Sequence, residues 1–332
     1  MPSKKRNLPE VVFLRALASL SVCIFHLYCG NTHLFPDTNF LKPVFNWGFL
    51  GVDVFFVISG FIICYAMPNG YAAKDVVVFF KKRLIRIEPP YLISILLVLL
   101  LQYISIPFNH LPYSVTLKDI LLHIAYLNNF TGNKYFNVVY WTLGIEFQFY
   151  ILIGFFYMYI SKSAFTLVIT VSLCLMLSFI QVKGMQLIFG MLPIFACGLA
   201  TCFFKYKKML SATVYFSIIS CLLLSIFYNN WATGFACLFT LIVLNFFTYH
   251  NRIIQFFSDI SYAIYLTHTT IGGRVINLGL RFVHNDTERC GIFILALITS
   301  IGFAYLFYLF FEKPFVQYSR KIQYKYLSTS NR

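Results

Sequence analysis

The sequence predicts an all-α, polytopic integral membrane protein with about ten transmembrane helices. Of its 332 residues, 59% are hydrophobic and only 11% are charged, whereas a soluble domain is about 25% charged. The mean hydropathy is +0.75, and many apolar runs approach the ~20 residues that a helical span requires. These runs lack the strict alternation of a membrane-spanning strand, so the predicted spans are helices.

Ten apolar segments are the predicted spans, and their even number places both termini on one side of the membrane. They cover residues 10–29, 47–67, 88–107, 139–160, 163–181, 185–204, 210–227, 231–248, 254–282 and 290–311. The ninth segment is long for one span and is predicted to break or kink at Gly272-Gly273. The longest connection, about 108–138, has room for a partial lid or an interfacial helix.

Lysine and arginine residues give the predicted orientation, because cytoplasmic loops of membrane proteins are enriched in them. Eighteen of the twenty-six fall on the side of the N-terminus. Six fall on the other side, including Arg281 at the very end of the ninth span, while Arg15 and Arg274 lie deeper within spans. We therefore predict both termini in the cytoplasm.

A single membrane domain, residues 1–332, is expected to have short tails at about 1–9 and 313–332. The net charge of +15 follows this sided distribution, which argues against nucleic acid binding.

The first span, in FLRALASLSVCIFH, carries Arg15 and His26. Eleven residues separate them, which on a helix returns to nearly the same face about 16 Å further along. Ionisable groups inside a span are costly and usually face the bundle interior or a water-filled cavity. Each also has a structural explanation, since Arg15 can extend to the lipid headgroups and His26 can be interfacial.

Asp53, Glu146 and His268 are further ionisable residues within predicted spans. The predicted topology places them, with His26, between the middle and the outer side, so we expect a common cavity there with Arg15 nearer the cytoplasm. Asp53 can instead interact with the dipole of its own helix N-terminus. For Glu146, the surrounding WTLGIEFQFY contains no basic partner, which favours a functional role.

A basic segment, KKRLIRIEPPY, precedes the third predicted span. Lys82, Arg83 and Arg86 in this segment either anchor the chain to anionic lipid or bind the phosphates of a polyanionic donor. Pro89-Pro90 is predicted to mark the entry into the span.

Six motifs, in order along the chain, resemble the membrane-bound acyltransferase-3 family of bacterial envelope carbohydrate O-acetyltransferases. They are Arg15 with His26, FLGVDVFFVISGFIICY, KKRLIRIEPPY, WTLGIEFQFY, ISYAIYLTH and FFEKPF. Each motif alone is weak, but six in order on ten predicted spans are specific. No segment resembles the extracytoplasmic hydrolase-like domain of some members, so the stand-alone form is expected.

The resemblance implies transfer of an acyl group, usually acetyl from cytoplasmic acetyl-CoA, to a hydroxyl of a cell-envelope carbohydrate. The implied location is the bacterial cytoplasmic (inner) membrane. The implied acceptor is an O-antigen of lipopolysaccharide, a capsule, an exopolysaccharide or a lipid-linked sugar. The sequence leaves open the acceptor, its hydroxyl position, the oligomeric state and the choice between acetyl and succinyl.

The resemblance also assigns catalytic roles to residues selected above. His26 is the expected general base, because a sugar hydroxyl must lose its proton as it attacks a thioester. Asp53 or Glu146 would accept the other ring N–H of His26, and the sequence does not choose between them. His268 matches a further recurring polar position. A covalent acyl-enzyme remains an alternative to direct transfer.

The donor is expected to contact four basic residues. Arg15 would bind the donor phosphate or pantetheine region, or polarise the thioester carbonyl, and Lys82, Arg83 and Arg86 would bind the nucleotide end. No pair of the nine cysteines has metal-ligand spacing, so no metal is expected.

A transporter or flippase of an envelope precursor is the competing interpretation. Proton-coupled carriers also place Arg, His, Asp and Glu within the membrane. The sequence has no evident internal repeat, which argues mildly against a carrier.

Overall fold

A computed structural model describes residues 8–109, 115–207, 212–228 and 230–324 of the chain. All regular secondary structure within these residues is helical, so the all-α prediction is confirmed. Most of the predicted N-terminal tail, the end of the C-terminal tail and part of the 108–138 connection lie outside the described residues.

The helices differ widely in length. In chain order they are α1 (Pro9–Cys29), α2 (Lys42–Asn46), α3 (Gly51–Ala66), α4 (Val76–Asn109), α5 (Leu117–Ile124), α6 (Asn128–Thr131), α7 (Tyr140–Ile160), α8 (Ala164–Leu177), α9 (Leu192–Lys205), α10 (Ala212–Tyr228), α11 (Trp231–Phe246), α12 (Arg252–Asp259), α13 (Ser261–Gly279), α14 (Asp286–Phe307) and α15 (Lys313–Lys321). A π-helical turn, Tyr308–Glu312, joins α14 to α15.

Six helical stretches of the described chain are long and apolar enough to cross a membrane. They are Pro9–Cys29, Lys42–Ala66, Ala73–Ser105, Tyr140–Ile160, Ile188–Lys205 and Asp286–Lys321. Shorter apolar helices lie at Ala164–Leu177, Ile218–Phe227 and Trp231–Phe246. The protein therefore has the helices of a membrane protein, while the number ten and the sidedness of the termini stay predictions.

The structure corrects the predicted start of the third span. Helix α4 already begins at Val76 and continues through Pro89 and Pro90, so the basic segment lies on the helix rather than before it. A proline has no amide proton for the carbonyl four residues earlier, and here this affects the carbonyls of Ile85 and Arg86. The packing of α4 against α7 and α15 keeps the helix continuous despite these two lost hydrogen bonds.

The break in the ninth predicted segment also lies elsewhere than expected. The chain leaves the helix at Ile260, between α12 and α13, and α13 continues through Gly272 and Gly273. Ser261 Oγ donates to the carbonyl of Ser258 at 2.8 Å, which satisfies an end of α12. A glycine within a helix costs only about 1 kcal/mol, too little to end a helix that packing supports.

The chain forms two compact units. Unit 1 comprises Met1–Met67, Ser161–Ile180 and Phe189–Tyr265, and unit 2 comprises Pro68–Ile160, Gln181–Ile188 and Leu266–Arg332. In unit 1, α3 packs against α9, and α1 packs against α3 and α12. In unit 2, α4 packs against α7 and α15, and α6 packs against α7.

Two glycines allow the close crossing of α3 and α9. A Cβ on Gly60 would overlap the carbonyl oxygen of Phe195, and a Cβ on Gly198 would overlap that of Val57. Small residues at a helix crossing let two backbones approach closely, as in other membrane helices. This crossing is the most extensive helix contact of unit 1 and positions the start of α3.

Candidate functional site

The eight residues selected from the sequence divide between the two units. Unit 1 contains Arg15, His26 and Asp53, and unit 2 contains Lys82, Arg83, Arg86, Glu146 and His268. Each group is therefore described within its own unit.

Arg15 lies in the N-terminal half of α1, which continues without interruption to Cys29. Its Nη2 donates a hydrogen bond to Ser261 Oγ at 3.0 Å. Ser261 donates in turn to the carbonyl of Ser258, so the hydroxyl that receives the guanidinium is itself fixed. The helix thus confirms that Arg15 and His26 share one element, about 16 Å apart along its axis.

His26 lies in the last turns of α1 and is half-buried. Its Nδ1 is 3.1 Å from the carbonyl oxygen of Val22, one helical turn earlier. A carbonyl only accepts hydrogen bonds, so in the neutral ring Nδ1 carries the proton and Nε2 carries the lone pair. In this tautomer Nε2 is unprotonated, as a general base that acts through Nε2 must be. The carboxylate partner expected for the ring stays a prediction.

Asp53 lies in the first turn of α3 and is buried. Its Oδ2 accepts a hydrogen bond from Thr233 Oγ1 at 3.0 Å. Thr233 lies in the first turn of α11, so the two side chains join two helix N-termini. A negative charge is favourable at a helix N-terminus, which makes this contact a structural role for Asp53 alongside the predicted catalytic one.

Glu146, Tyr150 and Arg83 form a cluster between α7 and α4 in unit 2. Tyr150, one turn after Glu146, donates its hydroxyl to Glu146 Oε1 at 2.5 Å. The guanidinium carbon of Arg83 lies 5.8 Å from the centre of the Tyr150 ring and 5.7 Å from that of Phe79, within the range of cation–π attraction. The structure therefore brings two of the selected residues, Glu146 and Arg83, to one tyrosine.

Lys82 makes contacts that differ from those of Arg83. Its Nζ donates to the carbonyl oxygens of Ser319 and Ile322 and lies 5.8 Å from the centre of the Tyr324 ring. A cation at the end of a helix satisfies free carbonyls and interacts favourably with the dipole. Lys82 thus stabilises the end of α15, and its role at the donor stays a prediction.

His268 is fully buried in α13, and the residues on either side of it are held by Asn137. Asn137 Nδ2 donates to the carbonyl of Leu266 at 3.3 Å and to Thr270 Oγ1 at 3.1 Å. Thr269 Oγ1 donates to Asn137 Oδ1 at 2.7 Å. Asn137 therefore connects the helical turn around His268 to the segment that enters α7.

A cavity in unit 2 lies beside the cluster of Glu146, Tyr150 and Arg83. Its lining residues are Arg83, Leu84, Ile87, Glu88, Tyr126, Leu143, Glu146, Phe147 and Tyr150. Neither Glu88 nor Tyr126 is predicted from the sequence. Glu88 lies among the cations of the basic segment, and Tyr126 belongs to no motif that distinguishes it from the other tyrosines.

The fold and these sites define a helical membrane protein with an Arg–His pair on its first helix and a tyrosine-bound glutamate beside an arginine. The chain belongs to the acyltransferase-3 family, whose acyltransferase domain matches residues 9–309. The resemblance stated from the motifs is confirmed.

Two relatives illustrate the extent of the similarity. The chain is 33% identical over 161 residues to the O-acetyltransferase OatA of Staphylococcus aureus, covering 44% of this chain and 24% of that protein. It is 28% identical over 170 residues to the acyltransferase MdmB of Streptomyces mycarofaciens, covering 49% of this chain and 42% of that protein. The chain thus spans less than half the length of these curated relatives. No solved structure matches it.

Proposed function

We propose that this protein is an O-acyltransferase that transfers acetyl from cytoplasmic acetyl-CoA to a hydroxyl of a bacterial envelope carbohydrate. The observation that carries the proposal is His26, on the same helix as Arg15, with Nδ1 bonded to a carbonyl so that Nε2 is the proton-accepting atom. The family supplies the class of reaction, and the name of the S. aureus relative supports transfer to oxygen.

The proposed chemistry follows from the acidity of the acceptor. A sugar hydroxyl ionises far above neutral pH, so its attack on a thioester needs a base, and histidine is suited to that role near pH 7. The hydroxyl proton passes to Nε2 of His26 while the new carbon–oxygen bond forms. The carbon–sulfur bond breaks, and the proton leaves with the CoA thiol. Asp53 and Glu146 remain candidates for stabilising the charged imidazolium.

The donor is proposed to bind through its phosphates to Arg83 and Arg86. The planar guanidinium suits phosphate oxygens, with which it can form two parallel hydrogen bonds. Arg15 is assigned to the pantetheine region or to the thioester carbonyl. Lys82 is the weakest of these assignments, because its ammonium also stabilises the end of α15.

The proposed location is the bacterial cytoplasmic membrane, with both termini in the cytoplasm. The donor would then arrive from the cytoplasm and the acceptor from the other side. The acceptor class comprises O-antigen, capsule, exopolysaccharide and lipid-linked sugar, and lipid surrounds the protein. The apolar helices and the excess of basic residues on one side support this placement.

Labelled donor tests the proposal directly. We expect purified protein in detergent to transfer radioactive acetyl from acetyl-CoA to an envelope glycan, in a linkage that mild alkali cleaves. His26→Ala should reduce the rate by roughly 100-fold or more, the usual contribution of a general base, with normal expression and membrane insertion. His250→Ala is the matched control, because His250 is exposed and bonded to Gln255.

Two results would contradict parts of the proposal. Undiminished acetylation by His26→Ala would remove His26 from the base role. Movement of a glycan precursor across vesicles without any incorporation of label would identify a transporter or flippase instead.

A further inference from the structure

Two of the three tryptophans of the chain meet in unit 1 and remain exposed. The ring centroids of Trp47 and Trp231 are 5.1 Å apart and the ring planes meet at 63°, so the two indoles form an aromatic corner rather than a flat surface. Trp47 is 45% exposed and Trp231 is 65% exposed. Exposed aromatic surface of this kind marks a place where a ligand, a partner or lipid binds.

The aromatic corner has a rigid support. Trp47 begins the short helical turn that leads into α3, and Trp231 is the first residue of α11. The hydrogen bond from Thr233 Oγ1 to Asp53 Oδ2 joins the first turns of α3 and α11. The two indoles therefore keep a fixed relation to each other, and a ligand does not have to order them when it binds.

The aromatic corner lies close to the proposed general base. The ring of Phe49 contacts the ring of Trp47, with centroids 6.4 Å apart, and the ring of Phe25, with centroids 6.2 Å apart. The centroid of the Phe25 ring is in turn 5.0 Å from that of its neighbour His26. These separations are within the range of aromatic contacts. Two phenylalanine rings thus connect the Trp47 indole to the His26 imidazole.

An asparagine precedes each indole of the aromatic corner. Asn46 and Asn230 are both exposed. Asn230 Oδ1 accepts a hydrogen bond from the amide of Thr233 at 2.8 Å, while its Nδ2 donates to no other group within the residues that the structure describes. An amide side chain can exchange hydrogen bonds with hydroxyl groups. The surface therefore combines open aromatic faces with a few polar groups, as binding sites for small molecules do.

A pyranose ring matches this combination. Its ring C–H groups form an apolar patch whose hydrogens carry a small positive charge, and the face of an aromatic ring is negative. Its hydroxyls surround that patch and can bond to amides. The two tryptophans and two asparagines carry no formal charge, so the aromatic corner suits a neutral sugar ring rather than a phosphate or a carboxylate.

We infer that Trp47 and Trp231 stack against a sugar ring of the acceptor, whose hydroxyls bond to the two asparagines. The inference rests on the proposed function for the identity of the ligand. In the predicted topology the second and eighth spans both begin on the outer side, from which the acceptor would arrive. Because Trp47 is close to His26, the stacked ring is the reacting sugar or its neighbour in the glycan.

The kinetics of acetyl transfer test the two indoles, with envelope glycan deacetylated by mild alkali as the acceptor. Trp47→Leu and Trp231→Leu should each raise the KM for this glycan by roughly three- to ten-fold, the value of one aromatic contact, and leave the KM for acetyl-CoA unchanged. Trp231→Phe should recover part of the loss, because it keeps an aromatic face. Phe235→Leu is the matched control. Phe235 lies one turn further along α11 and is 64% exposed, so its replacement should change neither KM.

Tryptophan fluorescence measures binding without turnover. In Trp141→Phe the two indoles of the aromatic corner are the only tryptophan emitters, since the chain has three tryptophans. The deacetylated glycan should change their emission saturably, and adding Trp47→Leu to this background should weaken the apparent binding by roughly three- to ten-fold. The same protein in bilayers of brominated phosphatidylcholine reports whether the indoles contact lipid, because tryptophans are also enriched at membrane interfaces.

The outcomes separate this inference from the proposed function. Quenching by brominated lipid with no response to the glycan would identify the indoles as membrane anchors and overturn the inference. Acetyl transfer with a glycan KM that neither leucine variant changes, or that Phe235→Leu raises equally, would overturn it while the proposed function stands. Saturable glycan binding at the aromatic corner without acetyl transfer would contradict the proposed function, and the binding site would stand.

Discussion

Asp53 is a buried carboxylate that is stabilised in this fold by a hydroxyl. Its hydrogen-bond donor is the hydroxyl of Thr233, and both residues lie in the first turn of a helix. Backbone amides at a helix N-terminus point toward a negative charge and favour it. The Thr233 hydroxyl adds a directed hydrogen-bond donor. Thr233 should therefore contribute more to the stability of the fold than a buried threonine that only bonds within its own helix.

Thr233→Val tests this contact, because it replaces the hydroxyl with a methyl group of similar size. We expect the free energy of unfolding in detergent to fall by about 1–3 kcal/mol, since a buried acceptor loses its donor. Thr240→Val is the control on the same helix. Thr240 is equally buried, but its hydroxyl donates to the carbonyl of Ala236, which keeps its helical partner. Equal melting temperatures for the two variants would exclude a special role for the Asp53 contact.

At the residue scale, the sequence predicts which side chains share one helix. It does not predict which side chains from distant parts of the chain come into contact. Arg15 and His26 follow from helical spacing, and the uninterrupted α1 confirms that spacing. Thr233 is 180 residues from Asp53, and Asn137 is 129 residues from Leu266. Neither distance leaves a periodic signal in the sequence, so these contacts could be found only from the structure.

At the element scale, the crossing of α3 and α9 depends on two glycines that face the partner backbone. Gly198→Ala should destabilise the protein by about 1–3 kcal/mol, because the added methyl would overlap a backbone carbonyl that has little freedom to move. Gly302→Ala in α14 is the matched control, since its Cβ would meet no atom within 4 Å among the described residues. The measurement is thermal unfolding in detergent, and equal stability of both variants would contradict the close crossing.

The segment that contains α5 and α6 has a buried histidine at its centre. His123 Nδ1 lies 2.7 Å from the carbonyl of Asp119, and Nε2 accepts the amide proton of Phe136 at 2.9 Å. The ring also stacks on Phe136, with centroids 3.8 Å apart. Burial lowers the pKa of His123 below its usual value, although the carbonyl of Asp119 opposes the shift. The neutral ring is therefore part of the folded segment.

Acidification should loosen this segment. Because the pKa of His123 is lower in the fold than in the unfolded chain, its contribution to stability is complete above the unfolded value of about 6.5. The contribution is lost as the pH falls from there through the lowered folded pKa. We expect amide exchange at 117–137 to be faster at pH 5 than at pH 7.5, and His123→Asn to reduce that difference. Exchange that is independent of pH after correction for the intrinsic rate would contradict the role of His123.

The first and fourth predicted spans coincide with the long helices α1 and α7, whereas the helix boundaries predicted at prolines and glycines were wrong. Prolines and glycines were expected to delimit helices, yet α4 includes Pro89 and Pro90, and α13 includes Gly272 and Gly273. Local propensity penalises these residues by a few kcal/mol at most. Packing over a long helix outweighs that penalty, and packing partners are not visible in a single sequence.

At the scale of the whole molecule, the distribution of basic residues predicts the orientation of the protein in the membrane, which the helices alone do not. Eighteen lysines and arginines against six place both termini in the cytoplasm if the number of spans is even. The structure describes six long apolar helices and shorter ones, so the orientation depends on whether the shorter helices also cross. An independent marker of sidedness is therefore needed at a point late in the chain.

Cys290 provides that marker, because it is exposed and lies in the first turns of α14. The predicted topology places the start of the tenth span outside, so a membrane-impermeant maleimide should label Cys290 in right-side-out vesicles and not in sealed inside-out vesicles. Cys290→Ser should abolish the signal. In that background, Tyr318→Cys, at an exposed position of α15, should give the opposite pattern. Labelling of both positions from the same side would mean that the chain between them does not cross the membrane. Labelling of Cys290 only in inside-out vesicles and of position 318 only in right-side-out vesicles would show that the orientation is opposite to the predicted one.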